Sequence, residues 1–246
     1  MSPDDIDSRE VEFDAPDARI RGVRVCMPGC DARPGIVLIP DVHGVSPLYR
    51  ELAARLVREG FVVLVIDLYS REGAPKLADA AAAMRFIATL PDERVLGDLA
   101  AAVRFLREDA QVEGKPVGIT GFCMGGQYAL LAACTDAEIA ACVSFYGMVR
   151  YREHNALKPR GPLDVAESLA GPYLGIFGAE DALIPNEDVE ELRRRLGKAN
   201  KRFEVISYPG CGHAFLNSTR ADAYRPEAAA DAFQRATAFF RRELGE

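Results

Sequence analysis

Two hydrophobic patterns alternate along the chain. Gly35-Ile36-Val37-Leu38-Ile39-Pro40 is a short apolar run, and Phe61 to Ile66, Lys115 to Thr120, Ile139 to Tyr146, Tyr173 to Phe177 and Phe203 to Tyr208 repeat the theme. Continuous runs of this length predict strands buried on both faces. Between them the apolar residues recur at helical spacing. Ser46 caps a helix with Pro47 at its first position, and the helix runs to about Glu59 with Leu52, Leu56 and Val57 on one face. Further helices are expected over 76–89, 95–109, Met124 to Ala133, Asn186 to Leu196 and from Pro226 onward, where Phe233, Ala236, Phe239 and Phe240 face the core. Near the start, Val11 to Phe13 and Ile20 to Val25 read as two short strands joined by a turn. Strands alternating with helices predict an α/β fold, a mostly parallel central sheet flanked by helices as a three-layer sandwich. Functional groups in such a sheet sit beyond the carboxyl ends of the strands.

No repeat, linker or low-complexity tract interrupts the 246 residues, so one domain over 1–246 is expected. The segment Arg150 to Ala170, with Pro159, Pro162 and several charges, is the expected cap over the site. Charge narrows the partners. The net charge of −7 and the lack of a Lys/Arg-rich run argue against nucleic acid. No apolar run is long enough to span a membrane, and the acidic N-terminus resembles neither a signal peptide nor an anchor. The six cysteines are scattered, which suits a reducing, cytoplasmic setting rather than a disulfide framework. Cys26 and Cys30 are close together, but no nearby His or second Cys pair completes a zinc site. The chain is expected to be a monomer or weak dimer.

One turn carries chemistry. The strand ending at Thr120 runs into Gly121-Phe122-Cys123-Met124-Gly125-Gly126, and then a helix begins. This is the strand–turn–helix setting of a nucleophile elbow, with Cys in place of Ser. Glycines flank the turn because it is too tight for side chains. The helix N-terminus favours thiolate, and the Met124 N–H points toward a developing oxyanion. Cys134 and Cys142, by contrast, read as core residues. An acid follows in Gly178-Ala179-Glu180-Asp181, after its own strand, with Asp181 the candidate and Glu180 its rival. The third member is His213, in the Gly-flanked loop Tyr208-Pro209-Gly210-Cys211-Gly212-His213, placed to act as base and then acid. His154 sits in a polar segment and reads as a surface residue. The order nucleophile, acid, His is that of the α/β-hydrolase fold.

From about Val11 to Leu244 the chain resembles the dienelactone hydrolase family. The most specific pieces are Gly-Phe-Cys-Met-Gly-Gly at 121–126, Asp67-Leu68-Tyr69, the stretch from Gly178 to Pro185, and Gly-His-Ala-Phe at 212–215. The resemblance implies a hydrolase of small-molecule lactones or activated esters, needing neither a metal nor an organic cofactor, with Cys123, Asp181 and His213 as triad. It implies Val42 N–H as the second oxyanion donor. Asp41 stands where the family has a Glu that contacts the resting thiol. His43 stands in the same loop, either lining the pocket or packing nearby. Arg71 matches an arginine that holds a substrate carboxylate. Asn217 stands where the dienelactone-active members carry a second arginine, with Arg220 three residues on. Tyr146, Gly147, Tyr69 and Phe215 are candidates either for the pocket wall or for packing. A broader small-ester carboxylesterase, and a non-catalytic ligand-binding protein, are the alternatives.

Overall fold

The computed structural model describes residues 6–29 and 31–245. Cys30 and the acidic N-terminal residues 1–5 lie outside the described residues, and with them the expectations about a zinc pair and the leader. Eight strands form one sheet: β1 (Asp7–Asp14), β2 (Arg19–Cys26), β3 (Gly35–Ile39), β4 (Val62–Ile66), β5 (Val117–Phe122), β6 (Ile139–Phe145), β7 (Tyr173–Gly178) and β8 (Phe203–Tyr208). Their order is β1-β2-β4-β3-β5-β6-β7-β8. Only β2 runs against its neighbours; every pair from β4 to β8 is parallel. Every residue of β3, β4, β5 and β7 is buried, which is why these stretches read as unbroken apolar runs.

Helices α1 (Pro47–Arg58), α2 (Ala80–Thr89), α3 (Asp92–Arg107), α4 (Met124–Thr135), α5 (Pro162–Val165), α6 (Asn186–Lys198) and α7 (Pro226–Leu244) complete the chain. Side chains alternate between faces along a strand, and two glycines show what covers each face. Gly118 looks toward Phe240 and Leu244 of α7, while Gly35, opposite Val117 and so on the other face, looks toward Leu106 of α3. Helix α1 joins α7 through Arg55 stacked on Phe233 and the ion pair Arg241–Glu59. Helices α3 and α4 pack together on the other side. The outcome is the expected three layers.

The helix boundaries differ from expectation where caps decide them. Helix α2 begins at Ala80 rather than 76, because the Asp79 carboxylate accepts from the Ala82 N–H at 2.7 Å. Helix α3 begins at Asp92, directly after Pro91. Strand β5 runs on to Phe122, two residues further than the apolar run, and so delivers the chain into the elbow. Among the described residues no helix is long and apolar enough to cross a membrane.

Phe240 is buried at the α7–sheet contact and meets the ring of Phe61 edge-on, with centroids 6.1 Å apart. Phe240→Ala is expected to lower the free energy of unfolding by about 3–5 kcal/mol. Urea denaturation followed by circular dichroism measures this, and a loss under about 1 kcal/mol would contradict the assignment of this contact to the core.

Candidate active site

The elbow is built by close backbone approach. A Cβ on Gly121 would stand 2.1 Å from the Gly125 carbonyl oxygen, and one on Gly125 would stand 2.3 Å from the Ile39 oxygen. Neither position admits a side chain. The turn forces Cys123 to φ 55° and ψ −117°, an uncommon conformation for a residue with a side chain. Its N–H donates to Phe145 O at 3.0 Å, which ties the turn to β6. Cys123 is half-buried at the head of α4.

Asp181 and His213 leave the ends of β7 and β8. His213 Nδ1 lies 2.7 Å from Asp181 Oδ2, and the Asp181 side chain is fully buried. Its other oxygen accepts from the Leu183 N–H at 2.9 Å, so the carboxylate cannot swing. Glu180, the rival acid, is exposed. His213 Nε2 is buried and has no hydrogen-bond partner among the described residues. Burial pushes the imidazole pKa down, but the nearby Cys123, chiefly through its charge, together with Asp181 outweighs it and raises the pKa from 6.5 to about 10. The ring is also held by the edge-to-face contact of Tyr146, centroids 5.3 Å apart, and Tyr146 in turn packs on Phe215. Tyr146 and Ala214, on either side of the imidazole, both sit at positive φ.

Two backbone N–H groups complete the arrangement. Among the described residues, neither the Val42 N–H nor the Met124 N–H donates to a protein acceptor. The Tyr69 hydroxyl donates to Val42 O at 2.9 Å and lies 3.6 Å from Met124 Sδ, and so links the two segments. A cavity of about 300 Å³ opens above Cys123, with Asp41, Val42, His43, His213, Asn217 and Arg220 in its wall. Its roof is the α2 segment, through Leu77, Ala83, Met84 and Ile87, together with Leu183. The expected cap, Arg150 to Ala170, does not line this cavity: it lies beyond Met84 and Leu183, where it borders a neighbouring one. The small, partly apolar helix α2 takes that place. Among the described residues no group of three or more His, Cys, Asp or Glu side chains is placed to hold a metal ion.

A cysteine on a strained elbow with a carboxylate-held imidazole is a hydrolase arrangement, and comparison with known proteins agrees. Residues 22–244 match the model of the dienelactone hydrolase family. The chain belongs to that family. It is 39% identical over 211 residues to a Bradyrhizobium protein assigned as a 2-oxo-3-(5-oxofuran-2-ylidene)propanoate lactonase, covering 86% of this chain and 84% of that protein. It is 33% identical over 215 residues to an Escherichia coli K12 protein assigned as a carboxymethylenebutenolidase, covering 87% and 78%. Among solved structures, one assigned as a dienelactone hydrolase from Klebsiella pneumoniae superposes with a TM-score of 0.90 at 30% identity, over 96% of this chain and 99% of that one.

Within this dienelactone hydrolase framework, only some of the residues expected to bind substrate line the cavity. Arg71 does not line the cavity. Its guanidinium makes paired hydrogen bonds to buried Asp98, at 2.8 and 2.9 Å, and also engages Asp17. A guanidinium committed to two carboxylates has little left for a third. Tyr146, Gly147 and Phe215 do not line the cavity either; Phe215 is wholly buried, and the two aromatic residues support the imidazole from behind. Tyr69 is likewise a buried brace rather than a wall. Asn217 lines the cavity, but its Oδ1 accepts from the Thr219 N–H and hydroxyl. Arg220 lines the cavity and pairs with Asp222 at 2.8 Å. Asp41 makes no hydrogen bond to Cys123. Its short side chain turns back to accept from the His43 N–H at 2.9 Å. His43 is exposed at the cavity mouth. One neighbour had no signal in the sequence: Tyr49 of α1 is buried, and after burial the charge of Asp41 is the main cause of its raised pKa.

Two outcomes follow from this geometry. The raised pKa of His213 stabilises the fold in full below about pH 6.5, and that contribution is lost as pH climbs through about 10. Cys123→Ala removes the largest raising influence, so the His213 pKa should drop by about 1–3 pH units, as read from NMR titration of its imidazole resonances. An unchanged titration would show that the thiol and imidazole do not interact. Arg71→Ala leaves Asp98 buried without its partner and should cost about 3 kcal/mol, the lower end for a broken buried pair. It should leave the preference between anionic and neutral esters where it was; a selective loss of anionic substrates would restore Arg71 as a substrate contact.

Proposed function

We propose that the chain hydrolyses lactones and activated esters through a triad of Cys123, His213 and Asp181, with all of 1–246 acting as one catalytic domain. The observation that carries this reading is the Asp181–His213 pair opening on the same cavity as the elbow cysteine, with the Val42 and Met124 N–H groups undonated. Asp181 accepts from Nδ1–H and so fixes the imidazole with Nε2 toward the thiol. The thiolate attacks the carbonyl carbon, and the N–H groups of Val42 and Met124 hold the oxyanion. Collapse expels the enolate or alkoxide, which takes its proton from His213. Water, deprotonated by His213, then attacks the thioester and regenerates the thiol.

The choice of a thiol shapes the substrate class. Thiolate is a better leaving group than an ordinary alkoxide, so a tetrahedral adduct of an unactivated ester tends to collapse backward. Enol lactones, whose leaving group is a stabilised enolate, collapse forward. The assigned names of the relatives, a lactonase and a carboxymethylenebutenolidase, support the same class. The cavity of about 300 Å³ is at the small end for ligand sites and fits a compact substrate.

The engaged Arg71 favours a second reading on the same chemistry: a carboxylesterase for small activated esters that places no demand on a substrate carboxylate. A panel of neutral and anionic lactones and p-nitrophenyl esters separates the two by their kcat/KM ratio. For either, Cys123→Ala should lower kcat by about 10³-fold or more. Cys123→Ser should retain weak esterase activity, and mass spectrometry of acid-quenched wild type should find an acyl group on Cys123. Full turnover by Cys123→Ala would end the proposal.

A further inference from the structure

A second cavity, of about 250 Å³, lies beside the first. The two share Met84, Ile87 and Leu183 as wall residues, so three apolar side chains form the partition between them. Leu183 is 38% exposed and Met84 half-buried, so neither is locked in the core. The second cavity is smaller than the usual site for a whole ligand, which fits an extension of a neighbouring site rather than an independent one.

Its inner wall is polar and rigid. Lys158, almost wholly buried, donates to Asp92 at 2.7 Å and to the Tyr128 hydroxyl at 2.8 Å. Tyr151 donates its one hydroxyl proton to Asp92, at 3.0 Å. The Tyr151 oxygen is then left to accept, and it accepts from Gln127 Nε2 at 3.2 Å. These assignments fix the amide: Nε2 faces Tyr151, and Oε1 is left over. Gln127 is 1% exposed, lines this cavity, and its Oε1 has no donor among the described residues. A buried acceptor of this kind is costly unless something donates to it.

Gln127 stands one helical turn after Cys123, its N–H donating to Cys123 O at 3.1 Å. Cys123 is the non-helical N-cap of α4, so what joins thiol and amide is the wall the two cavities share. A ligand with its carbonyl at the thiol reaches Gln127 by an arm that passes Met84 and Leu183. The outer rim carries Arg150 and Arg152, which share the single carboxylate of Asp188, and exposed Glu153, so the far end of the arm meets a charged, wet surface.

Resting on the proposed hydrolase function, we infer that this second cavity is a subsite for a substrate side arm, and that Gln127 selects arms bearing a hydroxyl group that donates to its Oε1. The substrate class is then a lactone or ester whose hydroxylated arm is long enough to cross the partition.

Binding to Cys123→Ala protein, measured by isothermal titration calorimetry, tests this without turnover. The probes are ethyl acetate, ethyl hexanoate and ethyl 6-hydroxyhexanoate. The hydroxylated ester should bind about tenfold more tightly than ethyl hexanoate. Adding Gln127→Leu should erase that preference. Leu183→Trp, made at an exposed position, should narrow the passage and shift selectivity toward ethyl acetate; it decides the matter should Gln127→Leu fail to fold. No preference for the hydroxylated ester, or a preference kept in either folded variant, overturns the subsite. Absence of ester turnover by wild type alongside the expected binding pattern would overturn the hydrolase reading and leave the subsite standing.

Discussion

The chain is pressed against itself where β5 turns into α4, and the site depends on that contact. The Gly125 Cα sits where any side chain would strike the carbonyls of Ile39 and Pro40, and Gly121 is equally close to the carbonyl of Gly125. Because the backbones touch, the end of β3 and the start of α4 lie side by side. On the proposed mechanism these two segments carry the oxyanion donors, the N–H groups of Val42 and Met124. A larger residue at either glycine would part the segments and, with them, the proposed nucleophile and oxyanion site. The strain at Cys123, Tyr146 and Ala214 marks the same place. Backbone strain of this kind persists only where surrounding packing overrides it. Here the stacked Phe122 and Phe145 rings, 4.6 Å apart beneath the elbow, form part of that packing.

Charge around the site is divided between jobs. Asp181 holds His213 at the cavity that Cys123 also lines. Arg71 with Asp98, and Lys158 with Asp92, are buried pairs that fasten loops to α3. Tyrosines do much of the bracing: Tyr69 joins the two oxyanion segments, Tyr146 backs the imidazole, and Tyr151 sets the direction of the Gln127 amide. Burial first, and then nearby carboxylates or the thiol, raises the pKa of all three phenols.

The fold, the elbow at Cys123 and the pairing of Asp181 with His213 were legible in the sequence because they rest on local pattern. Buried parallel strands must be apolar throughout, and the elbow must place Gly on both sides of its nucleophile. Asp181 and His213 follow their own strands, so their positions come from the same alternation. The substrate contacts were not legible, because they depend on where a long side chain turns. Nothing in Asp67-Leu68-Tyr69-Ser70-Arg71 reveals that Asp98, a helix away, claims the guanidinium. The roof was misplaced for a similar reason: the Ala-rich stretch before Thr89 looks like any covering helix, whereas Arg150 to Ala170 looks irregular. Tyr49 carries no motif, and only the packing of α1 brings it to Asp41.

The hold on His213 has a kinetic meaning. Asp181 grips one nitrogen, and Tyr146 stands against the ring, so the imidazole serves both half-reactions from one fixed seat. On the proposed mechanism it hands its proton to the departing group and later takes one from water, each time at the same atom. The departing group and the water then compete for a single position beside Nε2. For an open-chain ester the freed alcohol has to vacate that position before the second half-reaction starts, which makes the order ping-pong; the leaving group of an opened lactone stays tethered to the acyl-enzyme and has only to swing aside, toward the mouth of the cavity where His43 is exposed.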